Sequence, residues 1–162
     1  MLVVPEGGFG EPAISGIKEI AQLFNLSDYS FIALASGTGA TAAGIAVSAT
    51  ENQQTLAISV LKNNLSLEND IYSLIGKNRS IKIFHDFHCG GYAKHHPELI
   101  SFMNRFYQQT GIPTDFVYTG KLALALITLA EQDYFPENSR VLMIHSGGLQ
   151  GNRSLARTTL IF

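Results

Sequence analysis

The sequence predicts a doubly wound, three-layer αβα domain of the α/β class, built on a parallel sheet of about five strands. Three observations carry this expectation. Short β-rich runs alternate with helix-period segments along the whole chain. Strands separated by helices need crossover connections, and crossovers make parallel pairs. The runs Phe31–Ala35 and Val141–Ile144 are nearly all apolar, as strands covered on both faces are. Finally, 162 residues with 46% hydrophobic and 15% charged content suit one domain with a real core. The charged share lies below the usual quarter, the opposite of a disordered composition.

The elements follow in order. Leu2-Val3-Val4 reads as a brief strand. Pro12 to Asn25 reads as a helix, because Ile14, Ile17, Ile20, Ala21 and Phe24 recur at helical spacing. Phe31–Ala35 is a strand, followed by the loop Ser36-Gly37-Thr38-Gly39. Ala40 to Thr50 is a helix of small residues. Thr55–Leu61 is a third strand. Ser66 to Lys77 is a helix with Ser66 as its expected N-cap. Ile81–His85 is a fourth strand. Pro97 in its first turn opens a helix that runs to Thr110 and stops at Gly111. Thr119 to Gln132 is a further helix, with Thr119 expected at its N-cap and Lys121 expected as a solvated residue of its first turn. Val141–His145 is the last strand, ending in Ser146-Gly147-Gly148. There is no internal repeat, low-complexity stretch or linker, so residues 1–162 read as a single domain.

Composition and charge exclude several classes. Eleven Lys and Arg stand against thirteen Asp and Glu, for a net charge of −2. No run of basic residues offers a nucleic-acid stripe. The longest apolar stretch, Leu122 to Ala130, is interrupted by Thr128 and is too short for a membrane span. Met1-Leu2-Val3-Val4 runs directly into Pro5-Glu6-Gly7-Gly8, without the basic and apolar regions of a signal peptide. The single cysteine, Cys89, cannot form an internal disulfide. A reducing, cytoplasmic setting is therefore expected.

Parallel α/β sheets bind ligands beyond the carboxyl ends of their strands. This brings the loops after Val4, Ala35, Val60, His85 and His145 to one crevice. In that crevice Ser36-Gly37-Thr38-Gly39-Ala40-Thr41 links a strand to a helix. Glycines allow close backbone approach and the helix start offers unpaired N–H groups, which together suit an anion such as phosphate. Thr38 and Thr41 can add hydroxyls. No lysine follows, so this is no Walker A loop, and Gly37, Gly39 and Gly44 only approximate a dinucleotide fingerprint. A tight turn with glycines for packing is the plainer alternative. Pro5-Glu6-Gly7-Gly8-Phe9-Gly10 is a second glycine-rich loop, and His145-Ser146-Gly147-Gly148 could reach a ligand or simply turn the chain. His85, Asp86, His88, Cys89, His95 and His96 crowd one region, but at no zinc spacing, so no metal is expected.

Four segments, in this order, resemble one family: Pro5-Glu6-Gly7-Gly8, Ser36-Gly37-Thr38-Gly39-Ala40-Thr41-Ala42-Ala43-Gly44, Tyr118-Thr119-Gly120-Lys121 and His145-Ser146-Gly147-Gly148. They look like the D-cysteine desulfhydrase / 1-aminocyclopropane-1-carboxylate (ACC) deaminase family. These are pyridoxal 5'-phosphate enzymes with a tryptophan-synthase β-like fold, whose large domain the predicted layers resemble. The resemblance implies that Gly37, Thr38, Gly39, Ala40 and Thr41 form the cofactor's phosphate cup. Ala40 stands where the family usually has glycine, which is tolerable if that residue offers only its N–H. Tyr118 matches a tyrosine beside the cofactor and substrate, and Gly91-Tyr92 resembles the segment that supplies a second one. Thr119 and Ser146 match positions near the pyridine nitrogen. ACC deaminases carry glutamate and leucine there, and desulfhydrase-like members carry hydroxyls. A carboxylate keeps the nitrogen protonated and the ring a strong electron sink; a hydroxyl does not. The resemblance thus leans towards desulfhydrase-like release of ammonia from a small amino acid.

The family's Schiff-base lysine lies in an Asn-Lys-type motif that none of Lys18, Lys62, Lys77, Lys82, Lys94 and Lys121 occupies. The resemblance therefore implies roughly the C-terminal half of a family member, a fragment inactive alone, and a self-associating one where missing partner surface is exposed. Two alternatives stand beside it: a non-catalytic domain for a phosphorylated metabolite, and a different α/β enzyme using His145 or Cys89.

Overall fold

A computed structural model describes residues 3–162. Four parallel strands form one sheet: β1 (Phe31–Ser36), β2 (Gln54–Ser59), β3 (Ile81–Phe84) and β4 (Val141–Met143). Their order is β3-β2-β1-β4. Phe31 lies beside Gln54 on one side and Val141 on the other. The helices are α1 (Glu11–Ala21), α2 (Ala40–Ser48), α3 (Leu67–Ile75), α4 (Pro97–Thr110) and α5 (Thr119–Glu131). Among the described residues no helix is long and apolar enough to cross a membrane.

The three layers follow from the strand alternation. Ile32, Leu34 and Ala57 turn to one face, against Ile14 of α1, Ala42, Ala43 and Ile45 of α2, and Leu67 and Ile71 of α3. Ala33, Leu56 and Ile58 turn to the other, against Leu122 and Ala125 of α5 and the rings of Phe31, Phe84, Tyr134 and Phe135. Helix α4 lies outside α5, where Leu99, Phe102 and Met103 cover Phe116, Val117 and Ala123. Small residues on α2 are what let it lie close: a side chain at Gly44 would overlap Ile17 of α1.

Several expectations need correction. Among the described residues the sheet has four strands, against the about five expected. Of the strand expected at Leu2–Val4, Leu2 lies outside the described residues; Val3 and Val4 are 70% and 69% exposed and pair with nothing in the sheet. Helix α1 ends at Ala21 rather than Asn25. Beyond it, the buried amide of Gln53 donates to the carbonyls of Leu26 and Tyr29 and fixes a turn there. Helix α2 stops at Ser48 because the Thr50 N–H donates to Gln53 Oε1 at 2.9 Å instead of continuing the helix. Ser66 precedes α3 in helical conformation and makes no side-chain cap bond.

Candidate functional site

The carboxyl ends of the strands open into a cleft of about 810 Å³. Its lining includes Glu6 and Gly7, Gly37, Thr38 and Thr41, Tyr92, Asp115 and Tyr118, and Ser146 to Gly148. Segments far apart in the chain thus meet at the predicted crevice.

The loop between β1 and α2 forms one wall. Gly39, the residue before the helix, has φ +94°, and a Cβ there would stand 2.7 Å from Ile71 Cγ1. Only glycine fits such a backbone against α3 without displacement. Gly39 and Ala40 are themselves buried, so they can offer backbone groups alone, while Thr38 and Thr41 line the cleft. The first N–H groups of an α-helix lack intrahelical acceptors and carry the positive end of its dipole. Two neighbours hold the loop. Asn64 Nδ2 donates to the Gly37 carbonyl at 3.0 Å, and a Cβ on Gly7 would touch Thr38 Oγ1 at 2.6 Å. The Pro5–Gly10 loop therefore lies directly over the cup. Ser36 Oγ, at the end of β1, is buried without a hydrogen-bond partner.

A second wall, meeting the loop at Gly37, is Tyr118 with Tyr92. Their rings meet edge to face at 6.1 Å. Burial first, then the Tyr92 hydroxyl and the charges of Asp115 and Glu6, push the Tyr118 hydroxyl up to about 12. Tyr118 is thus a neutral hydroxyl across the physiological range.

Asp115 builds this wall, and the sequence reading passed over it. It is 2% exposed. Its Oδ2 accepts from Val117 N at 2.8 Å and Tyr118 N at 3.0 Å. Its Oδ1 accepts from Thr119 N at 2.8 Å and Thr119 Oγ1 at 2.9 Å. Thr119 Oγ1 accepts in return from Asp115 N at 2.8 Å. The pair is a reciprocal cap on α5, so the capping side chain is Asp115, and Thr119 is the first helical residue rather than the N-cap. Asn152 holds the same loop from the other side, accepting from Phe116 N and donating to the Thr114 carbonyl. The local signal available was an acid four residues ahead of a threonine that opens a helix.

Thr119 lies beneath the cleft rather than on its lining, with its hydroxyl engaged by Asp115. Ser146 is exposed and lines the cleft. Lys121 is not solvated, as expected from its place in the first turn, but fully buried. Its Nζ donates to the Gly91 carbonyl at 2.8 Å. Burial pushes its amine down from the usual lysine range, with Cys89 and Asp115 acting the other way.

The remaining reactive candidates are committed elsewhere. His145 Nε2 faces the Pro113 carbonyl at 2.9 Å, and its Nδ1 accepts from Gly147 N at 3.2 Å. That arrangement sets the proton on Nε2 and makes the ring a brace for the Ser146–Gly148 loop. Burial pushes the Cys89 thiol up, the direction opposite to an activated nucleophile. Among the described residues no group of three or more His, Cys, Asp or Glu could hold a metal ion.

No family model matches the chain. Over 161 residues it is 34% identical to a candidate 1-aminocyclopropane-1-carboxylate deaminase of Pyrococcus furiosus, covering 91% of this chain and 48% of that protein. It is 30% identical over 169 residues to the bifunctional D-cysteine desulfhydrase/1-aminocyclopropane-1-carboxylate deaminase of Arabidopsis thaliana, covering 92% of this chain and 42% of the relative. A crystal structure of an ACC deaminase homologue superimposes with a TM-score of 0.73 at 24% identity, over 93% of this chain and 50% of the other, and shares its fold. The chain spans about half the length of the curated relatives it matches. The resemblance read from four motifs is therefore a similarity that runs through nine-tenths of the chain.

Proposed function

We propose that this chain, similar throughout to one half of the D-cysteine desulfhydrase and ACC deaminase proteins, is the C-terminal, cofactor-cradling part of a pyridoxal-phosphate-dependent lyase or deaminase. The carrying observation is the convergence of Gly37, Thr38 and Thr41 with Tyr118, Tyr92 and Ser146 around one cleft. No motif alone required it.

The residues fit the cofactor. Its phosphate would take N–H groups of the loop from Gly37 to Thr41 and the hydroxyls of Thr38 and Thr41. The cleft's lining among the described residues holds two carboxylates and no lysine or arginine, so the helix start supplies the attraction. Ser146 brings a free hydroxyl towards the expected place of the pyridine nitrogen. Thr119, buried beneath the lining with its hydroxyl bonded to Asp115, supports the wall rather than touching the cleft. When bound, pyridoxal phosphate supplies the electron sink for carbanion chemistry at a small amino acid. Tyr118 and Tyr92 line the substrate side. The neutral, high-lying Tyr118 hydroxyl donates a hydrogen bond and keeps its proton. With hydroxyl residues rather than a carboxylate at the two positions that the resemblance matches to the pyridine nitrogen, of which Ser146 lines the cleft and Thr119 does not, the reading favours desulfhydrase-like ammonia release over opening of a cyclopropane.

None of the chain's lysines lines the cleft. The proposal is that the amine such chemistry needs comes from the half that the relatives have beyond this chain, and that this chain alone is inactive. Exposed Val3, Val4 and Leu65 would favour self-association without that half, in a cytoplasmic setting. The test is a pyridoxal phosphate titration, followed by borohydride reduction and peptide mass mapping. Saturable binding with no lysine trapped is expected. A stoichiometrically trapped lysine would overturn the half-site reading. Equal binding of unrelated phosphate esters would favour a phosphorylated-metabolite domain, and absence of any binding would remove the cofactor assignment.

A further inference from the structure

We propose that Lys121 is a positioning residue, whose buried amine holds the Gly90-Gly91 turn and thereby sets Tyr92 against Tyr118 at the cleft. Its interest rests on the reading of that cleft as a ligand site; its geometry does not.

The turn is an improbable piece of backbone. Gly90 and Gly91 have φ +94° and +124°, and Cys89 and Ala93 on either side both have φ +50°. L-residues other than glycine seldom adopt such angles, and a run of them persists only where surroundings hold it. The turn's own bonds are few: Gly90 N donates to His88 Nδ1 at 2.9 Å, Gly91 N to the His88 carbonyl at 3.0 Å, and Lys94 N to the Gly91 carbonyl at 3.2 Å. The second donor on the Gly91 carbonyl is Lys121 Nζ, at 2.8 Å. It is the hydrogen bond that ties the buried Gly91 to the first turn of α5, beside the packing of Cys89 on the cluster around Leu99 and Phe116.

The neighbours make the consequence specific. Tyr92, the next residue after Gly91, is 58% exposed. Its side chain is little held by packing, so its backbone decides where it stands. It lines the cleft and meets Tyr118. Tyr118 itself is held by Asp115. Two buried charged side chains, one capping α5 and one reaching out of its first turn, thus hold the backbone behind each of the two rings. A fully buried lysine loses its hydration. Methionine would fill the same slot without that cost, so what lysine adds is the donor to Gly91.

The test labels the protein with 3-fluorotyrosine and assigns its fluorine resonances by single Tyr→Phe changes. In Lys121→Met the Tyr92 resonance is expected to shift or broaden, with Tyr118 following, while Tyr29, Tyr72 and Tyr107 stay in place. Amide exchange at residues 90–93 is expected to rise at least tenfold while α5 keeps its protection. A purely structural role would lower the melting temperature and leave Tyr92 where it was; that result overturns the proposal. Should Lys121→Met fail to fold, Gly91→Ala decides. A Cβ there would stand 3.3 Å from Lys62 Cβ at a φ that disfavours it, so the turn must move with Lys121 intact. A Tyr92 signal unchanged in that variant overturns the proposal as well. No ligand enters the readout, so failure to bind pyridoxal phosphate would sink the cofactor assignment and leave this result standing.

Discussion

Replacing Asp115 tests the architecture of the site most directly. Its carboxylate accepts four hydrogen bonds, three of them from backbone N–H groups of Val117, Tyr118 and Thr119. Asparagine can present its oxygen to only one side. With the oxygen at the Oδ2 position, it keeps Val117 and Tyr118 and turns an NH2 towards Thr119 N–H. In the opposite orientation it loses two backbone partners instead. The better choice thus loses the Thr119 N–H bond, leaves the Thr119 hydroxyl to accept instead of donate, and faces two N–H donors together, which costs about 2 kcal/mol. Asp115→Ala strands three backbone donors, two of them on residues that are at most 5% exposed. With partial rescue by water from the cleft, the loss is about 3–4 kcal/mol. For a domain of this size, 1 kcal/mol moves the melting temperature by roughly 2–4 °C. Asp115→Asn should therefore melt about 4–8 °C lower by calorimetry, and Asp115→Ala lower still. A fall under about 2 °C for Asp115→Ala would mean that the carboxylate is not what holds Tyr118 and the start of α5, and the account of that wall would fail.

Two further outcomes follow from the cleft. Gly39→Ala forces a Cβ to within 2.7 Å of Ile71 at φ +94°; it should cost about 1–3 kcal/mol in urea denaturation and weaken pyridoxal phosphate binding by more than a surface Gly→Ala such as Gly16→Ala does. Tyr118 should titrate near 12 by absorbance at the phenolate band, and Tyr118→Phe should remove that late step. Because its folded value is raised, the folded state holds the proton longer, so Tyr118's contribution to stability is whole below pH 10 and is lost as pH climbs towards 12. A Tyr118 that ionises with the exposed tyrosines would refute the buried setting.

What was legible in the chain was whatever repeats or is local. Ile14, Ile17 and Ala21 recur at a helical period, and α1 buries Ile14 and Ala21. Gly39 is expected to let the backbone approach a ligand or to serve packing, and the structure shows it packed against Ile71 and Leu67 of α3. Pro97 and Gly111 bracket α4 to the residue. The misses share a different cause. Val3 and Val4 have strand composition, but a strand is made by its neighbour, and neither residue pairs with the sheet. Lys121 reads as a surface lysine because exposure is a tertiary property, decided by the segment of Cys89 and Gly91 folding against it. Asp115 sits in a loop without periodicity, and its partners are N–H groups, which no side-chain pattern displays. Ser66 and Thr119 had the right chemistry for caps. Ser66 caps nothing, and Thr119 shares the work with an acid four residues earlier.

The strand order carries a consequence in time. Strands β1, β2 and β3 are joined by single helical crossovers and can assemble from neighbouring stretches of chain. Strand β4 must find β1 across α2, β2, α3, β3, α4 and α5, and such distant pairings pay their loop-closure entropy before any contact rewards it. The cleft needs both ends of that search: the cup on α2 belongs to the early part, while Tyr118 and Ser146 arrive with the late one. Ligand binding should therefore be the last native property to return on refolding, after most of the helical signal has recovered.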